Sequence, residues 1–222
     1  MLAEHRAQLT DETRQTLEQA AALGLLGGSD LDAQIEHAFG FVHAFERFLG
    51  HPPLSVLDLG SGGGVPGLVL QEAWPDSEVV LLDASERRAE FLRLALARRP
   101  LAGRDEAGSV VVVRGRAEEV ARDVRYREHF EAVSSRSFGR PAVVAECGAP
   151  FLTTGGLLVV SEPPDTDERS RWPEAGLAEV GLGPGEAVRV DGRFNYRVLP
   201  KRGSTPERYP RRDGTPAKRP LF

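Results

Sequence analysis

Apolar positions first recur at helical spacing. Between about Thr10 and Leu26, Leu17, Ala20, Ala21, Leu23 and Leu25 stand among acids and glutamines, with Leu9 just ahead. This predicts an amphipathic helix with Thr10 as N-cap and Gly27–Gly28 as its stop. A second helix is predicted from about Asp30 to Leu49. It sets Ile35, Phe39, Val42, Phe45 and Phe48 on one side and is ended by His51-Pro52-Pro53. From Leu54 the period changes. Short apolar runs, LSVLDL (54–59), EVVLLD (78–83), SVVVV (109–113), EAVSS (131–135) and GLLVVSE (156–162), alternate with amphipathic stretches such as Ser85–Arg98 and Arg140–Phe151. Continuous rather than alternating apolar strands indicate burial on both faces, hence a parallel sheet with crossover helices. Two later strands, near Glu186–Val190 and Phe194–Leu199, read as an antiparallel hairpin around Asp191–Gly192. The expected organisation is an N-terminal helical cap (1–53), one doubly wound α/β domain (54–200) and a C-terminal tail (201–222).

Charge changes the picture only at the end of the chain. The net charge is −5 over 222 residues, yet Arg197–Phe222 holds eight Lys or Arg against two acids. A basic end on an acidic body suits contact with phosphate backbones. Its prolines and arginines suit an extended arm, with Arg208, Arg211, Arg212, Lys218 and Arg219 as the phosphate-facing candidates. The single cysteine, Cys147, excludes an internal disulfide, lies in an apolar helical pattern and reads as a core residue. The five histidines show no metal-ligand spacing, so no metal is expected. No apolar run is long enough to span a bilayer and the first residues lack a signal core, so a cytoplasmic protein is expected.

The segment VLDLGSGGGVPGLVL (56–70) carries the chemistry. A strand runs into Gly60, Gly62, Gly64 and Gly67, and a helix pattern follows, so backbone can approach a ligand and helix N–H groups face it. Asp83 ends the next strand, where an acid can accept both hydroxyls of a ribose. Gly62, Gly64 and Gly67 also satisfy the dinucleotide pattern G-x-G-x-x-G, which alone does not choose the nucleotide. Asp58, two residues before Gly60 on the strand, favours S-adenosylmethionine, because an acid there suits a cationic amine and would repel a pyrophosphate. A nicotinamide-dependent oxidoreductase remains the competing reading of the glycines. Glu118, in VVRGRAEEV (112–120), follows the third strand, where the adenine would be flanked.

These segments, with LLDASERRAEFL (81–92), SRSF (135–138) and the tail RYPRRDGTPAKRPL (208–221), resemble the RsmG/GidB family of small-subunit ribosomal RNA guanine-N7 methyltransferases. The resemblance implies a Rossmann-like class I methyltransferase sheet, S-adenosylmethionine as donor, and 16S ribosomal RNA or the small ribosomal subunit as partner. A monomer is favoured. It also implies donor contacts at Gly60 and Val65, an adenine-side pair Ala117 and Glu118, and a donor-site arginine, Arg136, placed where donor and acceptor meet and taken as the catalytic candidate. Two segments depart from the family pattern: IEHAFGFVHAF (35–45), where His37 reads mainly as a satisfied helix histidine, and SEPP (161–164) after the fifth strand. They leave open a methyltransferase of the same ancestry acting on another RNA or a small molecule, and a non-catalytic RNA-binding protein that retains the fold is a separate alternative. Guanine N7 loses no proton on attack, so the absence of a paired-carboxylate or histidine-dyad signature suits it. Phe138 is a candidate for stacking on a base or for core packing.

Overall fold

The computed structural model describes residues 9–28, 30–98, 108–163 and 171–222. Helix α1 (Asp11–Ala22) starts where the Thr10 hydroxyl accepts from the Thr13 N–H. It stops short of the expected Gly27–Gly28 because Gly24 takes a left-handed φ of 67° and the Leu25 N–H turns back to the Ala20 carbonyl. Helix α2 (Leu31–Leu49) matches its predicted span, capped by the Asp30 carboxylate and closed by left-handed Gly50. Gly40, midway along it, leaves room for Tyr196, whose hydroxyl donates to the His37 carbonyl at 2.6 Å.

The sheet has seven strands: β1 (Ser55–Leu59), β2 (Glu78–Asp83), β3 (Val110–Arg114), β4 (Phe130–Ser135), β5 (Leu152–Glu162), β6 (Glu186–Val190) and β7 (Phe194–Pro200). Their order is β3-β2-β1-β4-β5-β7-β6, with β1 to β5 parallel and β7 antiparallel to both neighbours. The β6–β7 hairpin forms as expected, its turn made by Asp191 and Gly192, both at positive φ. All of β1 is buried, as its unbroken apolar run requires. One face packs on α1, α2, α3 (Gly67–Ala73) and α4 (Glu86–Ala97), through residues such as Leu17, Phe45, Leu68 and Leu92. The other packs on α5 (Ala117–Val120), α6 (Pro141–Gly148) and α7 (Glu174–Glu179), around Phe130, Phe151 and Leu177. None of the described helices is long and apolar enough to cross a membrane.

The segment after Pro200 departs from the expected extended arm. Tyr209 and Pro210 are buried, and residues Thr215–Lys218 form a short helix, α8. The cause is charge pairing against the body. Arg211 meets Glu146 of α6 with its backbone N–H (2.8 Å), its Nε (2.8 Å) and its Nη2 (2.6 Å), and the Glu146 side chain is fully buried. Arg127 donates to the Thr205 and Tyr209 carbonyls. Lys201 is likewise interior, donating to the Ala149 carbonyl at 2.7 Å, and burial pulls its pKa down to about 8. Arg211 is therefore an internal ligand rather than a phosphate-facing group, whereas Arg208, Arg212, Lys218 and Arg219 are exposed.

Candidate active site

Strand order reverses beside β1, which is flanked by β2 on one side and β4 on the other, so the loops leaving β1 and β4 diverge and open a crevice. The glycine loop is folded by its neighbour strand. The Gly60 and Ser61 N–H groups both donate to the Leu82 carbonyl, and the Gly62 N–H donates to Asp83 Oδ2 at 2.8 Å. Asp83 Oδ1 accepts from the Ser85 N–H at 2.8 Å, and Arg88 stands 3.7 Å from Oδ2. Asp83 thus ties the loop to the start of α4 while lining the crevice. At Gly60 φ is 80°, and a Cβ would lie 2.7 Å from the Phe138 ring, so the ring rests directly on bare backbone.

Asp58 is turned inward. Its Oδ2 accepts from the Gly67 N–H at 3.0 Å and its Oδ1 from the Ser134 hydroxyl at 2.9 Å, and the residue is 1% exposed. The carboxylate holds the first turn of α3 against β1 and β4 and lines none of the clefts described below, so it faces the protein interior rather than a ligand. Burial pushes its carboxyl from 3.8 up to about 6, against the opposing pull of the Ser134 and Gly67 hydrogen bonds. A raised carboxyl pKa in the folded state favours folding below the unfolded value, and that contribution is lost as pH rises through about 6. Asp58→Asn should therefore gain about 2 kcal/mol relative to the unsubstituted protein as pH rises from about 4 to 7, read by urea midpoints. Parallel pH curves for the two proteins would contradict this.

Three adjoining clefts lie over the strand ends. One, of about 280 Å³, is lined by Gly60, Asp83, Gly115, Ala117, Glu118 and Phe138, among others. A second, of about 190 Å³, runs along Gly60–Gly63 and Val65 to Arg136. The third, of about 450 Å³, lies between α2, the loop after β4 and the end of β5, and is lined by Gln34, His37, Ser135, Arg136, Phe138 and Glu162, among others. Ser137 borders all three, Gly60 the first two, Arg136 the second and third, and Phe138 the first and third. Phe138 is accordingly a half-buried partition between clefts whose ring also packs against the core.

The crevice gathers Gly60, Gly62, Val65, Asp83, Ala117, Glu118 and Arg136 at cleft walls. Gly64 and Asp58 are placed behind it; at Gly64 a Cβ would meet Leu68 at 2.6 Å, so that glycine serves helix packing. The Glu118 carboxylate, 6% exposed, already accepts from the Gly214 N–H at 3.1 Å, with Arg116 at 3.5 Å. Arg136 donates through Nη2 to Gln34 Oε1 at 2.5 Å, while its Nη1 is buried with no hydrogen-bond partner, and desolvation lowers its pKa. His37 differs from a satisfied histidine: Nδ1 is buried without a partner, and burial first, then the Arg136 charge, holds the ring near pKa 4 and hence neutral. Cys147 is buried, and desolvation raises its thiol pKa, as suits a core residue. Gln34, Ser137 and Glu162 were not named as site residues because no spacing in the chain announces that α2 and the end of β5 face one cavity, nor did any motif single out Arg88 of α4, which lines the two narrower clefts.

The sheet order, the reversed last strand and the glycine loop at the switch point define a class I methyltransferase fold. Similar solved structures include one described as cofactor-bound Rv0187 from MTB (TM-score 0.58, 20% identity, 88% of this chain and 92% of that one) and an O-methyltransferase from Bacillus cereus in complex with SAH (TM-score 0.57, 16%, 87% and 92%). The chain belongs to the GidB family, described as rRNA small subunit methyltransferase G, which matches residues 16–165. Relatives named ribosomal RNA small subunit methyltransferase G include those of Thermotoga sp. strain RQ2 (37% identical, 76% of this chain, 72% of the relative) and Leuconostoc mesenteroides (30%, 86% and 80%). That of Streptococcus agalactiae serotype III is 27% identical over all of this chain and 97% of its own length.

Proposed function

We propose that this protein is a methyltransferase that uses S-adenosylmethionine to methylate N7 of a guanine in small-subunit ribosomal RNA. The observation that carries the reading is the junction of two narrow clefts, of glycine-loop and adenine-side type, with a larger polar cavity at Arg136, Ser137 and Phe138. Family membership supports the RNA acceptor. The residues fit the donor. Asp83 has lone pairs left for ribose hydroxyls, Ala117 and Gly115 leave a flat slot for a base, and the unused Arg136 N–H suits a carboxylate. The bound donor supplies an electrophilic methyl group. The chain supplies alignment and exclusion of water: Asp83 and the glycine loop fix one partner, and the β4 loop and α2 enclose the other. No base is required, because N7 attacks through an existing lone pair, and the neutral His37 is not called on for proton transfer.

The test is methyl transfer from labelled S-adenosylmethionine to small ribosomal subunits from a strain lacking the homologous activity, with the methylated base mapped by mass. A guanine carrying methyl at N7 is expected; methyl on another base, or on none, overturns the reading. The exposed tail cations enter the same assay. Replacing Arg208, Arg212, Lys218 and Arg219 together by glutamine should weaken RNA binding by about tenfold or more at 0.1 M salt and flatten its salt dependence. Unchanged slope and affinity would separate the tail from RNA.

A further inference from the structure

The larger cavity has an unusual electrostatic inventory. Five buried polar atoms without hydrogen-bond partners, Gln34 Nε2, His37 Nδ1, Ser135 Oγ, Arg136 Nη1 and Arg171 Nε, belong to residues that line it. Unpaired buried polar groups cost free energy, and together they mark a space built to receive a polar ligand. Among the described residues, one carboxylate lines the same space. Glu162, at the end of β5, has a side chain only 7% exposed: Oε1 accepts from the Trp172 indole N–H at 2.6 Å, and Oε2 is ion-paired with Arg171, 3.1 Å from its Nε, without a hydrogen bond. Each carboxylate oxygen retains a lone pair, so a rigid, charge-balanced pair of acceptors is available. Glu162 borders only this cavity, whereas Arg136, Ser137 and Phe138 form the end shared with the neighbouring clefts.

Resting on the acceptor reading above, we infer that Glu162 is the specificity-determining residue for the base, accepting the N1–H and 2-amino N–H of guanine. Guanine is the purine whose Watson–Crick edge presents two adjacent donors to a carboxylate. Adenine offers an N1 lone pair there, which the carboxylate repels, and the pyrimidine cytosine likewise presents an acceptor at N3. The edge so held lies across the bicyclic ring from N7. Anchoring it at the Glu162 end turns N7 toward the Arg136–Ser137–Phe138 end, where the methyl donor's clefts begin. Gln34 Nε2 supplies a donor for O6. Selection and orientation then come from one side chain, and the post-β5 segment, which departs from the family pattern, is where this chain places it.

The experiment titrates the protein, saturated with S-adenosylhomocysteine, with guanosine, inosine and adenosine monophosphates by calorimetry, and repeats the titrations with Glu162→Gln. Inosine lacks only the 2-amino group and should bind about tenfold more weakly than guanosine, and adenosine about a hundredfold more weakly. The glutamine variant should lose about tenfold or more for guanosine and discriminate no further against inosine, with S-adenosylhomocysteine affinity unchanged. Glutamine can still accept from Trp172, and the unsubstituted protein's own preference needs no variant, so a folding defect does not blur the result. Equal affinity for guanosine and inosine, or an unaltered preference in Glu162→Gln, overturns the assignment. Methylation assays on the same samples separate the two failures. A guanine methylated at N7 without base preference in these titrations sinks Glu162 alone, whereas donor binding with no RNA methylation sinks the function.

Discussion

Asp83→Ala should weaken S-adenosylhomocysteine binding by about a hundredfold in calorimetry, the largest loss expected of any single cleft residue. The side chain has two duties at once. It accepts from the Gly62 and Ser85 N–H groups, both at 2.8 Å, and so sets the glycine loop against α4. In the proposed complex its remaining lone pairs take the ribose hydroxyls. Hydrogen bonds to a charged group contribute about 1.5–3 kcal/mol each, and every 1.4 kcal/mol is tenfold in affinity, so losing one ligand contact and loosening the loop together reach two decades. Asp83→Asn should fall between, because the amide oxygen keeps one acceptor and its NH2 meets an N–H donor at the other. A loss of less than about threefold in Asp83→Ala would place the sugar elsewhere and remove the reason for the acid at the end of β2.

Arg211→Ala should cost about 3–5 kcal/mol of folding stability, the range for breaking a buried ion pair from one side. Glu146 is fully buried on α6 and takes its side-chain and backbone hydrogen bonds from Arg211. Removing the guanidinium leaves a carboxylate facing protein interior. At about 2–4 °C per kcal/mol for a chain of this size, the melting temperature should drop by roughly 10 °C. Removing both charges, as in Glu146→Leu with Arg211→Met, should recover most of the loss, since an apolar pair of similar volume replaces desolvated ions. A double variant as unstable as the single one would show that the tail is held by its backbone and by Tyr209 rather than by this pair.

The sheet and its two helical layers were legible because burial on both faces leaves apolar runs in β1, β2 and β5, and β3 carries a similar run of valines although it lies at the sheet edge with Val111 exposed. The hairpin was legible because Asp191–Gly192 suits positive φ at consecutive positions. Local signals also fixed the glycine loop and Asp83, which stand within one βαβ unit. What failed was whatever depends on distant pairing. The tail's arginines looked like an exposed comb, since nothing near residue 211 tells that a carboxylate at 146 waits under it. The position of Asp58 on its strand is plain from the sequence, whereas the direction of its carboxylate is decided by Ser134 on a strand far along the chain. The larger cavity, assembled from α2, the loop after β4 and the end of β5, was visible only as two segments, 35–45 and 161–164, that depart from the family pattern; nothing local told that they share one space.

The contact between Gly214 and Glu118 makes the C-terminal segment part of the wall behind the adenine-side cleft, where Ala217 also stands. A nucleoside pressing on that wall and a polyanion gripping the neighbouring exposed cations would work on the same few residues. Thermodynamic reciprocity then requires any help that one gives the other to be returned in equal measure.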